Sequence, residues 1–169
     1  MDYITVYPGH LAGTSNNILA DFSKRLGQVF RDRFVPDLLV RHSNALKSQH
    51  QGPNRNIIEQ LNTIHVNPSH KGKKLAGKSV LVLDDFTTYG YSFETARQML
   101  LCAGASNVTG VAIAKYRTKA AFVHIKNKWD AFSPHHFEAE DVDVNQLNGI
   151  LNAPADSYFY TQIWENFSK

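Results

Sequence analysis

The run Ser79 to Leu83 (SVLVL) leads directly into the acidic pair Asp84-Asp85, and seven residues then separate that pair from Phe93, where a helical stripe begins. A continuous apolar run of this kind fits a strand covered on both faces, which in turn requires a layered α/β architecture. In open α/β sheets ligands bind at the carboxyl ends of the strands. Two adjacent carboxylates at such an end form a strand poorly and repel each other, so a cation or a ligand's hydroxyl groups are expected to meet them. The following loop, Thr87 to Ser92, is rich in hydroxyls and opens a helix. Its backbone N–H groups and the positive end of the helix dipole make a cup for phosphate. Gly90 allows the backbone to turn tightly and approach an anion, while Thr87, Thr88 and Ser92 offer hydroxyls. Carboxylates for sugar hydroxyls beside a cup for phosphate describe a site for a phosphorylated ribose.

The flanking segments continue the alternation. Tyr3 to Tyr7 (YITVY) reads as a strand that ends at Pro8-Gly9. Ile18, Phe22, Leu26 and Val29, widened by Leu19 and Phe30, predict a helix that ends near Phe34 because Pro36 cannot continue it. Asp37 to Val40 reads as a second strand. Phe93, Ala96, Leu100 and Ala103 mark a helix stopped at Gly104, and Val108 to Ala114 reads as the next strand. The expected fold is therefore α/β, a parallel sheet flanked by helices on both faces, formed by residues 1–117. Residues 41–69 are polar and are expected to form a mobile or lid-like segment of that core. Residues 118–169 are expected to be a C-terminal appendage packed on it. Within them Lys119 to Phe132 reads as helix, His135 to Val144 is mixed and acidic, and Tyr158 to Phe167 is aromatic and reads as strand or helix. The aromatic residues Trp129, Tyr158, Phe159, Tyr160 and Trp164 are expected to pack the appendage or a partner.

Composition narrows the classes. A chain of 169 residues buries enough surface to need neither disulfides nor a structural metal. One cysteine, Cys102, allows no intrachain disulfide and fits a reducing compartment. No apolar run approaches the ~20 residues that span a bilayer, and no basic-then-apolar leader is present, so the expected location is the cytoplasm, off the membrane. A net charge of +3 permits a polyanionic ligand without demanding nucleic acid. Lys71, Lys73, Lys74 and Lys78 form the densest basic run and read as a solvated loop, with direct DNA binding the weaker reading. No histidine pair has i,i+4 spacing, which argues against a histidine metal site. Ser92 lacks the second glycine of a nucleophile elbow.

The stretch VLVLDDFTTYGYS resembles the phosphoribosyl pyrophosphate (PRPP) motif of type I phosphoribosyltransferases: an apolar strand, two acidic residues, two further residues, then a Thr/Gly-rich loop ending in Thr or Ser. Leu100 to Ala105 and Val108 resemble the family's helix end and following strand. The upstream part resembles the ComF-like branch, associated with competence for DNA uptake. There a strand ending in Pro opens a loop and a helix, and a Lys/Gln and Arg-x-Asn region precedes the motif, as Lys47, Gln49 and Asn54-Arg55-Asn56 do in this chain.

The resemblance implies a Mg²⁺-dependent transferase that acts on PRPP, releases pyrophosphate and uses an unidentified nitrogenous acceptor. Asp84 and Asp85 would meet the ribose 2′- and 3′-hydroxyls, directly or through Mg²⁺. Thr87, Thr88, Tyr89, Gly90, Tyr91 and Ser92 would hold the 5′-phosphate. Gly9 and His10, with Arg41, Lys47 and Arg55, would lie on the pyrophosphate side, and Lys115 on the base side. Thr88 stands where some purine-using relatives carry an acid. Tyr89 and Tyr91 are bulky where small residues are usual. A second expectation therefore stands beside the enzyme: a catalytically degenerate relative that binds PRPP or a nucleotide as a sensor, or that serves as a component of a homodimer or larger complex.

Overall fold

The computed structural model describes residues 1–13, 17–31, 33–45, 57–72, 74–115 and 120–147. In chain order its elements are β1 (Tyr3–Val6), α1 (Asn17–Phe30), β2 (Arg33–Phe34), β3 (Leu39–Arg41), α2 (Ile57–Leu61), β4 (Ile64–Val66), β5 (Ser79–Thr87), α3 (Tyr91–Cys102), β6 (Asn107–Lys115), β7 (Ala120–Ile125) and β8 (Val142–Leu147). Four strands form a parallel sheet in the order β2-β1-β5-β6.

Side chains alternate across a strand, and this chain uses the alternation to build two apolar layers. Ile4, Val6 and Leu83 pack with Leu19 of α1. Val80, Val82 and Val108 pack with Phe93, Ala96, Met99 and Leu100 of α3. The two helices therefore cover opposite faces of the parallel sheet, as the alternating pattern implies. Phe93 lies directly on β6: a Cβ added to Gly110 would meet its ring at 2.6 Å.

Several elements differ from the sequence expectations. Helix α1 ends at Phe30, because Arg31 takes a left-handed conformation (φ 55°) that breaks it. The freed Arg33–Phe34 pair becomes the edge strand of the sheet. The strand expected at Asp37 to Val40 forms at Leu39–Arg41, outside the parallel sheet, and pairs antiparallel with β4. Much of the segment expected to be a lid belongs to the core. Arg41, Ala45, Ile57, Leu61, Ile64 and Val66 are all buried, so residues 41–45 and 57–69 pack as structure; residues 46–56 lie outside the described residues.

The helix expected over Lys119 to Phe132 is replaced by β7, antiparallel to β8. Tertiary partners override the alanines' helical preference. The Val123 N–H donates to the Glu94 carboxylate of α3 at 3.1 Å, and the Ala121 N–H donates to the Tyr89 carbonyl at 3.0 Å. Glu94 is buried and also holds Arg97 through two contacts, at 2.8 and 3.0 Å. The appendage is thus fastened to α3 by a charged, fully engaged cluster.

Candidate functional site

The sheet order fixes where a crevice opens. From β1 the chain turns one way, through α1, to β2, while β5 and β6 lie on the other side joined by α3. The switch point lies between β1 and β5, and ligand crevices of open α/β sheets form outside the carboxyl ends of the strands there. β1 pairs with β5 only as far as Val6 opposite Leu83, whereas β5 continues along β6 until Thr87 opposite Lys115. Asp84 and Asp85 therefore lie within an extended strand rather than after it, on the stretch that has lost its β1 neighbour. A strand with one open side tolerates carboxylates that a closed one would not.

Successive positions of an extended strand point to opposite faces. Asp84 shares its face with Val82 and the α3 layer and is half-buried, while Asp85 is exposed. The Asp84 carboxylate accepts the Asp85 N–H at 2.9 Å and a hydrogen bond from the Ser92 hydroxyl. Burial pushes its pKa up to about 7, the Ser92 hydrogen bond opposes that, and the neighbouring Asp85 charge adds to it.

The loop after β5 is ordered by its own side chains. Gly90, at φ 77°, precedes α3, and its N–H donates to the Thr87 hydroxyl at 3.2 Å. No side chain caps the start of α3. The Tyr89 and Tyr91 rings stack at 5.5 Å and are both buried in the core. They pack inward and do not project into the loop's solvent side. Thr87 is buried, while Thr88 and Ser92 are half-buried.

Across the crevice, Pro8 to Gly13 form the loop after β1. It is laced to the end of β3. The Arg41 Nε donates to the Gly9 carbonyl, the Ala45 N–H donates to the His10 carbonyl at 2.9 Å, and the Ala12 N–H donates to Asn44 Oδ1 at 2.8 Å. Arg41 is 4% exposed. Its remaining partners are Thr63 Oγ1 and, at 3.1 Å, Gln60 Oε1, so all three acceptors are uncharged. A buried guanidinium whose partners among the described residues include no carboxylate keeps its positive field at this loop. Arg41 thus braces the loop and does not reach out freely into solvent, as a lid-borne cation would.

Tyr7 joins the two halves. Its ring lies under Arg41 at 5.8 Å, and its hydroxyl donates to the same Gln60 Oε1 at 3.0 Å. Burial pushes the hydroxyl up to about 12 against the pull of Arg41, and the Asp84 carboxylate adds a further push. Tyr7, Gln60 and Thr63 belong to the site yet carry no sequence signal beyond Tyr7's place at a strand end before Pro8.

The structure therefore brings Gly9, His10 and Arg41 to one side of the crevice and Asp84 to Ser92 to the other. Lys115 closes β6 opposite Thr87. Lys47 and Arg55 lie outside the described residues. Among the described residues no group of three His, Cys, Asp or Glu side chains could enclose a metal. Asp84 and Asp85 lie on opposite faces of β5, so one of the two carboxylates at a time can reach a given cation; a hard cation of the Mg²⁺ kind accepts a single carboxylate and completes its shell with water and substrate phosphates. Among the described residues no helix is long and apolar enough to cross a membrane. The described lysines of the basic run are engaged internally: Lys71 pairs with Asp130 at 2.8 Å, Lys74 donates to the Ser69 carbonyl, and Lys78 pairs with Asp2 at 3.1 Å; Lys73 lies outside the described residues. Compared with known proteins, the chain matches no protein-family model and no curated protein.

Proposed function

We propose that this protein binds phosphoribosyl pyrophosphate together with Mg²⁺ and transfers its phosphoribosyl group to a nitrogenous acceptor, as the resemblance to type I phosphoribosyltransferases implies. The observation that carries the reading is the pairing, across the switch point, of the half-buried Asp84 with a loop held by the buried charge of Arg41. A ligand with sugar hydroxyls at its centre and phosphates at both ends answers that distribution of charge.

In this reading Asp84 and Asp85 accept hydrogen bonds from the ribose hydroxyls. The loop from Thr87 to Ser92 and the start of α3 receive the 5′-phosphate. The loop from Pro8 to Gly13, in the field of Arg41, receives the pyrophosphate. The bond from ribose C1 to the pyrophosphate oxygen breaks, its electron pair leaves with pyrophosphate, and the acceptor nitrogen bonds to C1 through its lone pair and gives up its proton to water. Mg²⁺, when bound, neutralises the developing charge on the leaving pyrophosphate. The protein's residues position the reactants and complement charge that grows in the transition state. The inward packing of Tyr89 and Tyr91 supports the enzyme over a degenerate relative, because their bulky rings take no room from an incoming phosphate.

The test is release of pyrophosphate from PRPP and Mg²⁺ across a panel of nucleobases and simple amines. Turnover with at least one acceptor, reduced about 100-fold or more in Asp84→Asn, is the expected result. Tight PRPP binding with no turnover on any acceptor would instead favour the sensor.

A further inference from the structure

Two histidines form a cluster on the antiparallel ribbon of β3 and β4. On a helix, histidines need i,i+4 spacing to share a face, but across a ribbon diagonal neighbours share one at any distance in sequence. His65 lies opposite Val40, and His42, two residues beyond Val40, falls on the same face. The His42 N–H donates to the Thr63 carbonyl at 3.0 Å, which carries the pairing one step past β3. Arg41 and Ile64 occupy the opposite face of the ribbon.

The two rings meet at the spacing of ligands on one ion. Their Nδ1 atoms are 3.1 Å apart, their centroids 5.2 Å apart, and their planes are tilted by 43°. A Zn²⁺ ion holds imidazole nitrogens at ~2.05 Å, which puts two of them ~2.9 Å apart at a right angle and ~3.3 Å apart at the tetrahedral angle. The observed separation lies between these limits. A ligating imidazole is neutral, and burial favours the neutral form of both rings. The Asn62 carbonyl favours a proton on the His42 ring, and such a partner at one nitrogen leaves the lone pair of the other for an ion. His65 is buried and His42 half-buried, so an ion can reach the pair from the open side of His42. Among the described residues no third His, Cys, Asp or Glu joins the two. Water therefore fills the remaining positions, and the charge of Arg41, which disfavours a proton on His42, also weakens the hold on a cation.

We propose that His42 and His65 bind a divalent metal ion of the Zn²⁺ class through their Nδ1 atoms, with water completing its shell. Such an ion ties β3 to β4 where the ribbon carries the loop after β1. There Arg41 Nε donates to the Gly9 carbonyl, and the Gly13 and Ala45 N–H groups donate to the Arg41 and His10 carbonyls at 3.4 and 2.9 Å. The proposal is independent of the catalytic reading.

Titration of the full chain with Zn²⁺ in excess Mg²⁺, followed by imidazole ¹⁵N NMR and by thermal melts, tests it. Mg²⁺ occupies carboxylates and leaves imidazoles free. The expected result is that the His42 and His65 Nδ1 resonances move together and saturate at one ion per chain. Tm should rise by roughly 3–6 °C at Zn²⁺ tenfold above its Kd. Both responses should be lost in His65→Gln and kept in His135→Gln/His136→Gln. No movement of the two resonances at millimolar Zn²⁺ overturns the proposal, because the pair would then be an N–H···N hydrogen bond alone. Movement of one resonance without the other overturns it too. So does a response that survives in a folded His65→Gln variant, since the ion would then sit on other side chains. If His65→Gln loses its far-ultraviolet circular dichroism, His42→Gln serves as the variant.

Discussion

Asp84 carries a cost in the folded protein. Its carboxyl is held half-buried at a pKa of about 7, and no basic side chain among its partners in the described residues relieves it. The folded-state value lies above the ordinary 3.8, so the folded protein holds this proton more tightly than the unfolded chain. The resulting stability is complete below pH 3.8 and is lost as pH rises through about 7. The full shift corresponds to at most ~4 kcal/mol, and solvent access to a half-exposed carboxyl reduces it. Asp84→Asn should therefore gain about 1–2 kcal/mol at pH 8, a rise of roughly 3–6 °C in Tm, and flatten the fall of Tm between pH 4 and 8. A Tm at pH 8 equal to or below wild type would refute this. His42 and His65 act with the opposite sign. Their Nδ1 atoms are 3.1 Å apart, and burial lowers both pKa values, with Arg41 further depressing His42 and His42 further depressing His65. Their neutral forms suit the fold, so stability is complete above the ordinary value of 6.5 and falls as pH drops below it. Thermal melts of His42→Gln should lose less Tm than wild type between pH 7 and 5; a steeper loss in the variant would contradict the pairing.

At the scale of elements, the hinge of the architecture is the start of α3, which serves the site with one face and the appendage with another. Glu94, 2% exposed, accepts from Arg97 and from the Val123 N–H of β7. Glu94→Gln leaves the guanidinium of Arg97 without its counter-charge and should cost roughly 3 kcal/mol. Hydrogen exchange should show the Val123 amide and the β7–β8 hairpin opening earlier than β5. Uniform weakening of hairpin and sheet together would show that the cluster does not hold the hairpin specifically. The same elements explain what the sequence made legible. β5, α3 and β6 are written locally, as an apolar run, a stripe ended by Gly104 and a second apolar run. The acidic pair and Gly90 sit at their junction and could be read from there. β7 could not, because Ala120-Ala121 favours helix in isolation and its strand pairing comes from residues 142–147 and its anchor from Glu94. β2 is two residues long and escapes any periodicity. Arg41 drew notice only through the resemblance, as a basic residue expected on the pyrophosphate side. Its role as a brace was hidden, because the acceptors at Gly9, Gln60 and Thr63 come from distant points of the chain.

For the whole molecule, the sheet order sets which loops are neighbours. With β1 and β5 as neighbours that connect outward in opposite directions, the loop after one and the acidic end of the other face a common crevice. Charge follows the same plan: the lysines of residues 71–78 that are described are spent on Asp130, Ser69 and Asp2, and the buried Arg41 sits at the crevice. A small polyanion suits that arrangement better than a nucleic-acid backbone, which would need a basic surface and would bind with steep salt dependence. Calorimetric titration of PRPP with Mg²⁺ into the wild type and into Asp84→Asn/Asp85→Asn is the most direct measurement. The account predicts saturable binding to the wild type and none to the variant, whose circular dichroism should be unchanged. Absence of binding to the wild type at millimolar PRPP, or equal binding to both proteins, would contradict it.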